Sequence, residues 1–175
     1  MISLILAGLA LFLTILNSTT MRIVRSDNAF EIAGEVAILI PMRNEENNVL
    51  DVMDSLGQQE LLSNYKVIVL DDQSTDSTLA KLMEIERTNP DKYKIISGAK
   101  LPPDWLGKTH ACQQLADHSK GDYLVFVDAD VRVNSRAVSA AINAMETYGW
   151  DFISPYPREI AISWLEKFIQ PLLQW

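Results

Sequence analysis

Three apolar runs in this 175-residue sequence each end in polar residues able to do chemistry. Val36-Ala37-Ile38-Leu39-Ile40 is followed by Pro41-Met42-Arg43-Asn44-Glu45, and Val67-Ile68-Val69-Leu70 by Asp71-Asp72. Tyr123-Leu124-Val125-Phe126-Val127 is followed by Asp128-Ala129-Asp130. Carboxylates gathered at one place repel and shift each other's pKa. A divalent cation relieves that cost, and hard oxygen donors suit Mg²⁺ or Mn²⁺, which keep part of their shell for phosphate oxygens. Lys108 stands near a helix start, where a side-chain cation and backbone N–H groups together suit a diphosphate. Taken singly, each piece has a plain structural reading. Asp71-Asp72 with Ser74-Thr75-Asp76 also makes a turn and helix cap, Asn44 an N-cap, and Lys108 a solvated lysine. The argument rests on their joint occurrence at three run ends.

Those ends converge only if the runs are strands of one parallel sheet. The first three runs read as buried strands by their apolar continuity, with Lys94-Ile95-Ile96 a shorter strand and Asp151-Phe152-Ile153-Ser154 a fifth. Helical spacing fills the intervals. Val49, Val52, Met53 and Leu56 follow an expected start at Glu45-Glu46 capped by Asn44, and Gly57 ends that helix. Leu79, Leu82, Met83 and Glu86 define a second helix. Leu101–Trp105 is a loop, and Gly107-Lys108 opens a third helix with Ala111, Cys112, Leu115 and Ala116 on one face. Asn134 or Ser135 caps a fourth, with Val138, Ala141, Met145 and Tyr148 inward. This alternation predicts an α/β, mostly parallel sheet with flanking helices. Right-handed crossovers put ligands at the carboxyl edge of such a sheet.

Composition narrows the class. All 15 basic and 23 acidic residues lie in 21–175, and the net charge is −8. An acidic chain without clustered Lys and Arg does not suit a nucleic-acid partner. The lone Cys112 excludes an internal disulfide framework and a Cys-rich zinc site. His110 and His118 lack metal-ligand spacing and read as structural or surface residues. Met1–Leu16 is apolar except for Ser3, Gly8 and Thr14, and no charge precedes Arg22. The uncharged stretch spans roughly 30 Å as a helix, a bilayer core. A signal peptide carries basic residues before its apolar run and a small-x-small site after it, and a buried core helix is seldom apolar all round. Residues 1–21 are therefore expected to be a single transmembrane anchor in the cell membrane. With Arg22 and Arg25 behind it, the following domain is expected on the cytoplasmic side. Residues 22–35 read as a polar linker.

The ordered set Pro41–Glu46, Val69-Leu70-Asp71-Asp72-Gln73-Ser74-Thr75-Asp76-Ser77-Thr78 and Gly121–Asp130 resembles glycosyltransferase family 2, inverting sugar-nucleotide enzymes of GT-A fold. The resemblance covers about residues 36–155. The stretch Leu101–Cys112 is similar to the membrane-associated branch that includes hopanoid-associated and carotenoid (diaponeurosporenoate-type) enzymes. The resemblance implies a nucleotide-sugar donor, a UDP-sugar above all, a lipid or isoprenoid acceptor and a divalent metal, Mn²⁺ or Mg²⁺. It implies that Pro41, Arg43, Asn44 and Glu45 line the nucleoside pocket and that Asp72 holds a uracil-type base. Lys108 would approach the nucleotide, Asp128 would lie by ribose and metal, and Asp130 would ligate the metal.

An inverting transfer also needs a general base for the acceptor hydroxyl. In the resembled family it lies in a later segment, and neither Glu159 nor Glu166 sits in that pattern. Residues 36–155 are thus expected to be the donor half of a longer fold. Residues 156–175, with Ile162, Leu165, Ile169, Leu172 and Leu173 near helical spacing, Trp164 and Trp175 beside them and Pro171 a kink, read as an interfacial helix or one cut off from its partner. Two other functions compete. A non-catalytic nucleotide-binding domain accords with the missing base. A haloacid-dehalogenase-type phosphatase also places Asp-x-Asp after a strand. It expects Thr or Val where Arg132 stands, and only 45 residues follow Asp130.

Overall fold

The structure is a computed structural model that describes residues 2–20, 23–155, 161 and 163–173. Arg22, Glu159, Ile162 and Trp175, used in the readings above, lie outside the described residues.

Four strands form one all-parallel sheet: β1 (Ile32–Met42), β2 (Leu62–Asp71), β3 (Tyr93–Ser97) and β4 (Tyr123–Phe126), in the order β3-β2-β1-β4. β1 sits between β2 and β4, with Ile38 opposite both Val67 and Val125. It is buried on both faces as well as both edges, which is why it reads as an unbroken apolar run and not an alternating one. Its side chains still alternate. Val36, Ile38, Ile40 and Met42 join one core with Val49, Val52 and Leu56 of α2 (Val49–Gly57), Leu82 of α3 (Thr78–Thr88) and Val138 and Ile142 of α5 (Ala137–Tyr148). Ala37 and Leu39 face the other way, onto Ala111 and Leu115 of α4 (Gly107–Asp117). Gly121 leads into β4 so close to β1 that a Cβ there would lie 2.9 Å from the Ala37 nitrogen.

The order in which strands are added reverses at β1. β1, β2 and β3 wind outward one way, and the chain then crosses back through α4 to place β4 on the other side of β1. That reversal creates a crevice at the carboxyl ends of β1 and β4, the place where open α/β sheets bind ligands.

Several boundaries differ from expectation. β1 begins at Ile32, inside the stretch read as linker, because the Ile32 N–H donates to the Leu61 carbonyl (2.9 Å). A short 3₁₀ turn covers Ser26–Asn28. α2 starts at Val49 and not at Glu45, and Asn44 does not cap it. Asn44 holds φ 55°, a left-handed conformation that asparagine tolerates and a helix start does not use. α5 starts at Ala137, with Asn134 Oδ1 accepting from the Arg136 N–H (3.1 Å) one turn earlier. Its buried face runs through Val138, Ser139, Ala140, Ile142 and Asn143, while Tyr148 is exposed, as is Met83 of α3. α5 closes on Gly149 at φ 64°, with the Trp150 N–H donating to the Met145 carbonyl (2.9 Å), a Schellman closure. Residues 151–154 then form no strand: they have no ladder partner, and Phe152 is 80% exposed.

Two helices stand at the chain ends. α1 (Ile2–Thr20) is uncharged and exposes its large apolar side chains from Leu4 to Leu16. It is long and apolar enough to cross a membrane by length and composition. α6 (Trp164–Leu173) includes Pro171 and opens on a reciprocal capping box. The Glu166 N–H donates to Ser163 Oγ (3.2 Å), and the Ser163 N–H to Glu166 Oε2 (2.9 Å).

The doubly buried β1 predicts a sharp mutational response. Ile38→Ala is expected to cost about 2–5 kcal/mol, read as a lowered denaturant midpoint, whereas Met83→Ala on the exposed side of α3 is expected to change it by about 0.5 kcal/mol or less.

Candidate functional site

The β1–α2 connection carries the first part of the site. Pro41 and Met42 finish the strand, and the chain from Arg43 to Asn48 is held open by the loop after β2. The Asn44 N–H donates to Ser74 Oγ (3.0 Å), and Asn44 Oδ1 accepts from the Thr75 N–H (2.8 Å). The Glu45 N–H donates to Thr78 Oγ1 (2.8 Å) and the Glu46 N–H to Asp76 Oδ2 (3.2 Å). Glu46 answers by accepting from the Ser77 N–H (3.1 Å), and its carbonyl accepts from Lys81 Nζ (2.7 Å). The residues Ser74 to Thr78 therefore work as a bracket that fixes the β1 loop. By sequence alone they mark a turn, a helix cap and a family motif. Their hydroxyl and carboxylate spacing was the available signal, but the partner strand-end loop is 30 residues away in sequence.

Asp76 shows the electrostatics of that bracket. Hydrogen bonds from the Thr78 hydroxyl, then from the Thr78 and Glu46 N–H groups, hold its carboxyl below the ordinary 3.8. Asp71 and Asp72 divide in role. Asp71 is buried, with Oδ2 accepting from the Ser74 N–H (3.3 Å) and Oδ1 without a partner. Asp72 turns outward, and Arg43 Nη1 lies 3.7 Å from its Oδ2.

Pro41, Met42, Arg43, Asp72, Gly107, Lys108 and Ala111 line an open cleft of about 270 Å³ at the carboxyl edge of the sheet. Four residues expected there, Pro41, Arg43, Asp72 and Lys108, are brought together. Asn44 and Glu45 do not line it: Asn44 is engaged with the β2 loop, and Glu45 Oε2 accepts from Asn48 Nδ2 (2.7 Å). Asp128 joins the cleft through Lys108, whose Nζ is 2.6 Å from its Oδ1. The hydrogen bond to Asp128 raises the Lys108 pKa, so the ammonium stays charged. Asp130 is exposed one position beyond the buried Ala129. The turn holding both acids is set by the Val127 N–H donating to the Leu39 carbonyl (3.0 Å) and the Val131 N–H to the Asp128 carbonyl (3.1 Å).

A divalent cation fits this donor set. Asp128 pairs with Lys108 of the cleft, and the exposed Asp130 acts electrostatically on the same ammonium, so the two offer hard-oxygen groups beside a cation suited to phosphate. Among the described residues no group of three or more His, Cys, Asp or Glu side chains gathers to hold a metal. Two carboxylates completed by phosphate oxygens and water are what Mg²⁺ and Mn²⁺ commonly use. The rest of α4 stays outside the chemistry. His110 Nδ1 lies 3.1 Å from Gln114 Nε2, and burial raises the pKa of the Cys112 thiol and keeps it protonated.

Fold and site define a doubly wound α/β protein with a cleft at its switch point lined by Arg43, Asp72 and Lys108. The chain belongs to glycosyl transferase family 2, whose model matches residues 37–172, and its sheet is of GT-A type. It is similar to the 4,4'-diaponeurosporenoate glycosyltransferase of Staphylococcus aureus (strain MRSA252), 34% identical over 135 residues that make up 76% of this chain and 34% of that protein. It is also similar to the enzyme of that name from Staphylococcus haemolyticus (strain JCSC1435), 34% identical over 64% of this chain and 28% of that protein. The chain thus spans about a third of the length of these relatives. Among solved structures, the mannosyltransferase PcManGT from Pyrobaculum calidifontis, in complex with GDP-Man and Mn²⁺, matches 65% of this chain and 33% of its own with a TM-score of 0.57 at 23% identity. Staphylococcus aureus TarS 1–349 in complex with UDP matches 74% of this chain and 38% of its own with a TM-score of 0.56 at 23% identity. At that identity the likeness shows the fold.

The depressed Asp76 carboxyl carries a pH signature. A lowered folded pKa stabilises above the ordinary value of 3.8, and the contribution is lost as pH falls through the folded value. Asp76→Ala is expected to lower stability at neutral pH, with the deficit shrinking as pH drops below 3.8. Denaturant titrations of both chains across that range check it; a deficit independent of pH contradicts it.

Proposed function

We propose that this chain is the donor-binding part of a membrane-anchored glycosyltransferase that takes a sugar from a nucleotide sugar, a UDP-sugar above all. The sugar passes with inversion to a lipid or isoprenoid acceptor. The observation that carries the reading is the cleft lined by Arg43, Asp72 and Lys108 at the β1/β4 reversal, with Asp128 paired to Lys108. Family membership supports the reaction class, and similarity to diaponeurosporenoate glycosyltransferases supports the acceptor class.

Each residue has a task in this reading. Pro41 and Arg43 border the nucleoside, and Asp72 accepts hydrogen bonds from a uracil-type base. Asn44 and Glu45 keep the loop open. Lys108 would face the diphosphate, and Asp128, beside the ribose, would hold a divalent cation together with Asp130. A divalent cation bound there would stabilise the negative charge that develops on the departing diphosphate. In the transfer the acceptor oxygen bonds to the anomeric carbon while the bond from that carbon to the diphosphate oxygen breaks. The electron pair leaves on the diphosphate, and the acceptor proton goes to a base not assigned to this chain. Residues 36–155 form the donor half in this account, and residues 156–175 an interfacial segment. The exposed Trp164, Leu165, Phe168 and Ile169 of α6 support that placement. α1 crosses the membrane, with Arg22 and Arg25 keeping the cleft on the cytoplasmic side.

Thermal unfolding of the full chain in neutral detergent tests donor binding. A UDP-sugar at a hundred times its Kd is expected to stabilise by about 2.7 kcal/mol in the presence of Mn²⁺. Asp130→Asn is expected to keep the fold and lose the Mn²⁺-dependent part. No Mn²⁺-dependent stabilisation by any nucleotide sugar contradicts the proposal. Anchoring is read separately: the chain is expected to stay with membranes through a high-salt wash, and its release into the supernatant contradicts the anchor.

A further inference from the structure

A second concavity lies at the opposite edge of the sheet. It has a volume of about 330 Å³, and its lining includes Ile23, Arg25, Phe30, Asn143, Thr147 and Tyr148. Phe30 precedes the start of β1, while the donor cleft follows its end, so the length of β1, roughly 30 Å, separates the two. This concavity is therefore not part of the donor site.

Its chemistry is one-sided. Asn143 is 5% exposed, and its Oδ1 accepts from the Phe30 N–H at 2.6 Å. That bond identifies the oxygen, so the other side-chain atom is the amide Nδ2, a buried donor without a partner. A buried donor left unsatisfied costs about 1–3 kcal/mol, which an incoming acceptor oxygen recovers. Arg25 adds a guanidinium with no carboxylate partner among the described residues, and Thr147 adds a hydroxyl. No Asp or Glu is among the lining residues. The nearby Glu146 carboxylate accepts from the Tyr123 hydroxyl, and Asp27 belongs to the 3₁₀ turn. The apolar part of the rim is exposed: Ile23 is 69% and Phe30 52% accessible, and Tyr148 packs on Trp150 with ring centroids 4.7 Å apart. Ile23 follows three residues after the end of α1, the helix long and apolar enough to span a membrane.

We infer that this concavity binds the phosphodiester headgroup of a membrane phospholipid beside the anchor. Arg25, Asn143 Nδ2 and Thr147 meet the phosphate and ester oxygens, while Ile23, Phe30 and Tyr148 lie along the start of the acyl chains. One cation with two neutral donors matches the single negative charge of a phosphodiester better than a multiply charged monoester. Because Nδ2 is closed off from solvent, binding includes a small opening of α5 against residues 23–30. The inference rests on reading α1 as a membrane anchor.

The test uses the full chain in neutral detergent micelles and follows the ¹⁵N–¹H₂ side-chain signals of Asn143, assigned with Asn143→Asp. Dihexanoyl phosphatidylglycerol is expected to shift those signals saturably. Arg25→Gln, at an exposed position, is expected to weaken that binding about fivefold without altering thermal stability. Asn143→Asp keeps the acceptor for Phe30, removes the donor and adds a negative charge, and is expected to abolish the saturable shift that the lipid gives the backbone amide of Thr147, a lining residue present in both chains. Inorganic phosphate is expected to give no saturable shift. An equal response to inorganic phosphate overturns the lipid assignment, and the absence of a saturable lipid shift, or an unchanged affinity in Arg25→Gln, overturns the site. Retention in the membrane fraction and UDP-sugar stabilisation are separate readouts, so failure of the anchor or of the donor site is distinguished from failure here.

Discussion

The parallel pairing of β1 with β2 on one edge and β4 on the other governs this molecule. Those two ladders put the ends of three strands on one rim and bring acids from positions 72, 128 and 130 near one another. The Leu39 carbonyl holds the Val127 N–H directly before the Asp128–Asp130 turn, so the ladder itself aims the acids. Pairing requires β1 to be apolar on both faces, and burial supplies the free energy that keeps charged side chains crowded at its end. The site stands on the most deeply buried strand of the fold.

Crowding is relieved by local cations. Arg43 stands beside Asp72, and Lys108 grips Asp128. Both pairs are partly exposed, so each contributes little to stability, about 1 kcal/mol at most. Their value is positional: the cations hold the two carboxylates at the carboxyl edge of the sheet. In the proposed reaction Arg43 and Lys108 would be the cations available to a bound diphosphate, and Asp128 and Asp130 would hold a divalent cation that offsets its charge. The bracket from Ser74 to Thr78 holds the β1 loop so that binding needs no refolding of the loop.

Elements set by local composition were readable in advance. The double burial of β1 and β2 shows as unbroken apolar runs, and the acids at their ends follow directly. Helix α4 shows its face by spacing at Ala111 and Leu115, α3 only at Leu82, since Met83 turns outward, and Gly57 marks the end of α2. Elements set by distant partners were not. α2 starts late because the N–H groups of residues 44–46 are claimed by side chains from 74–78, which no local pattern reveals. Residues 151–154 have strand composition but no ladder to join. The pairing of Lys108 with Asp128 depends on where α4 lands over β1 and β2. The open donor of Asn143 follows from a contact with Phe30 across 113 residues.

The central claim is that a nucleoside diphosphate and a divalent cation meet at the β1/β4 reversal. Paramagnetic broadening of backbone amide signals reads this directly in the full, ¹⁵N-labelled chain, with UDP present and Mn²⁺ added at trace level. The account predicts selective loss of signals from Met42–Arg43, Asp72, Gly107–Lys108 and Asp128–Val131, with the amides of Ile32 and Phe30 unaffected. Broadening that spares the Asp128–Val131 turn, or that does not depend on UDP, would contradict it.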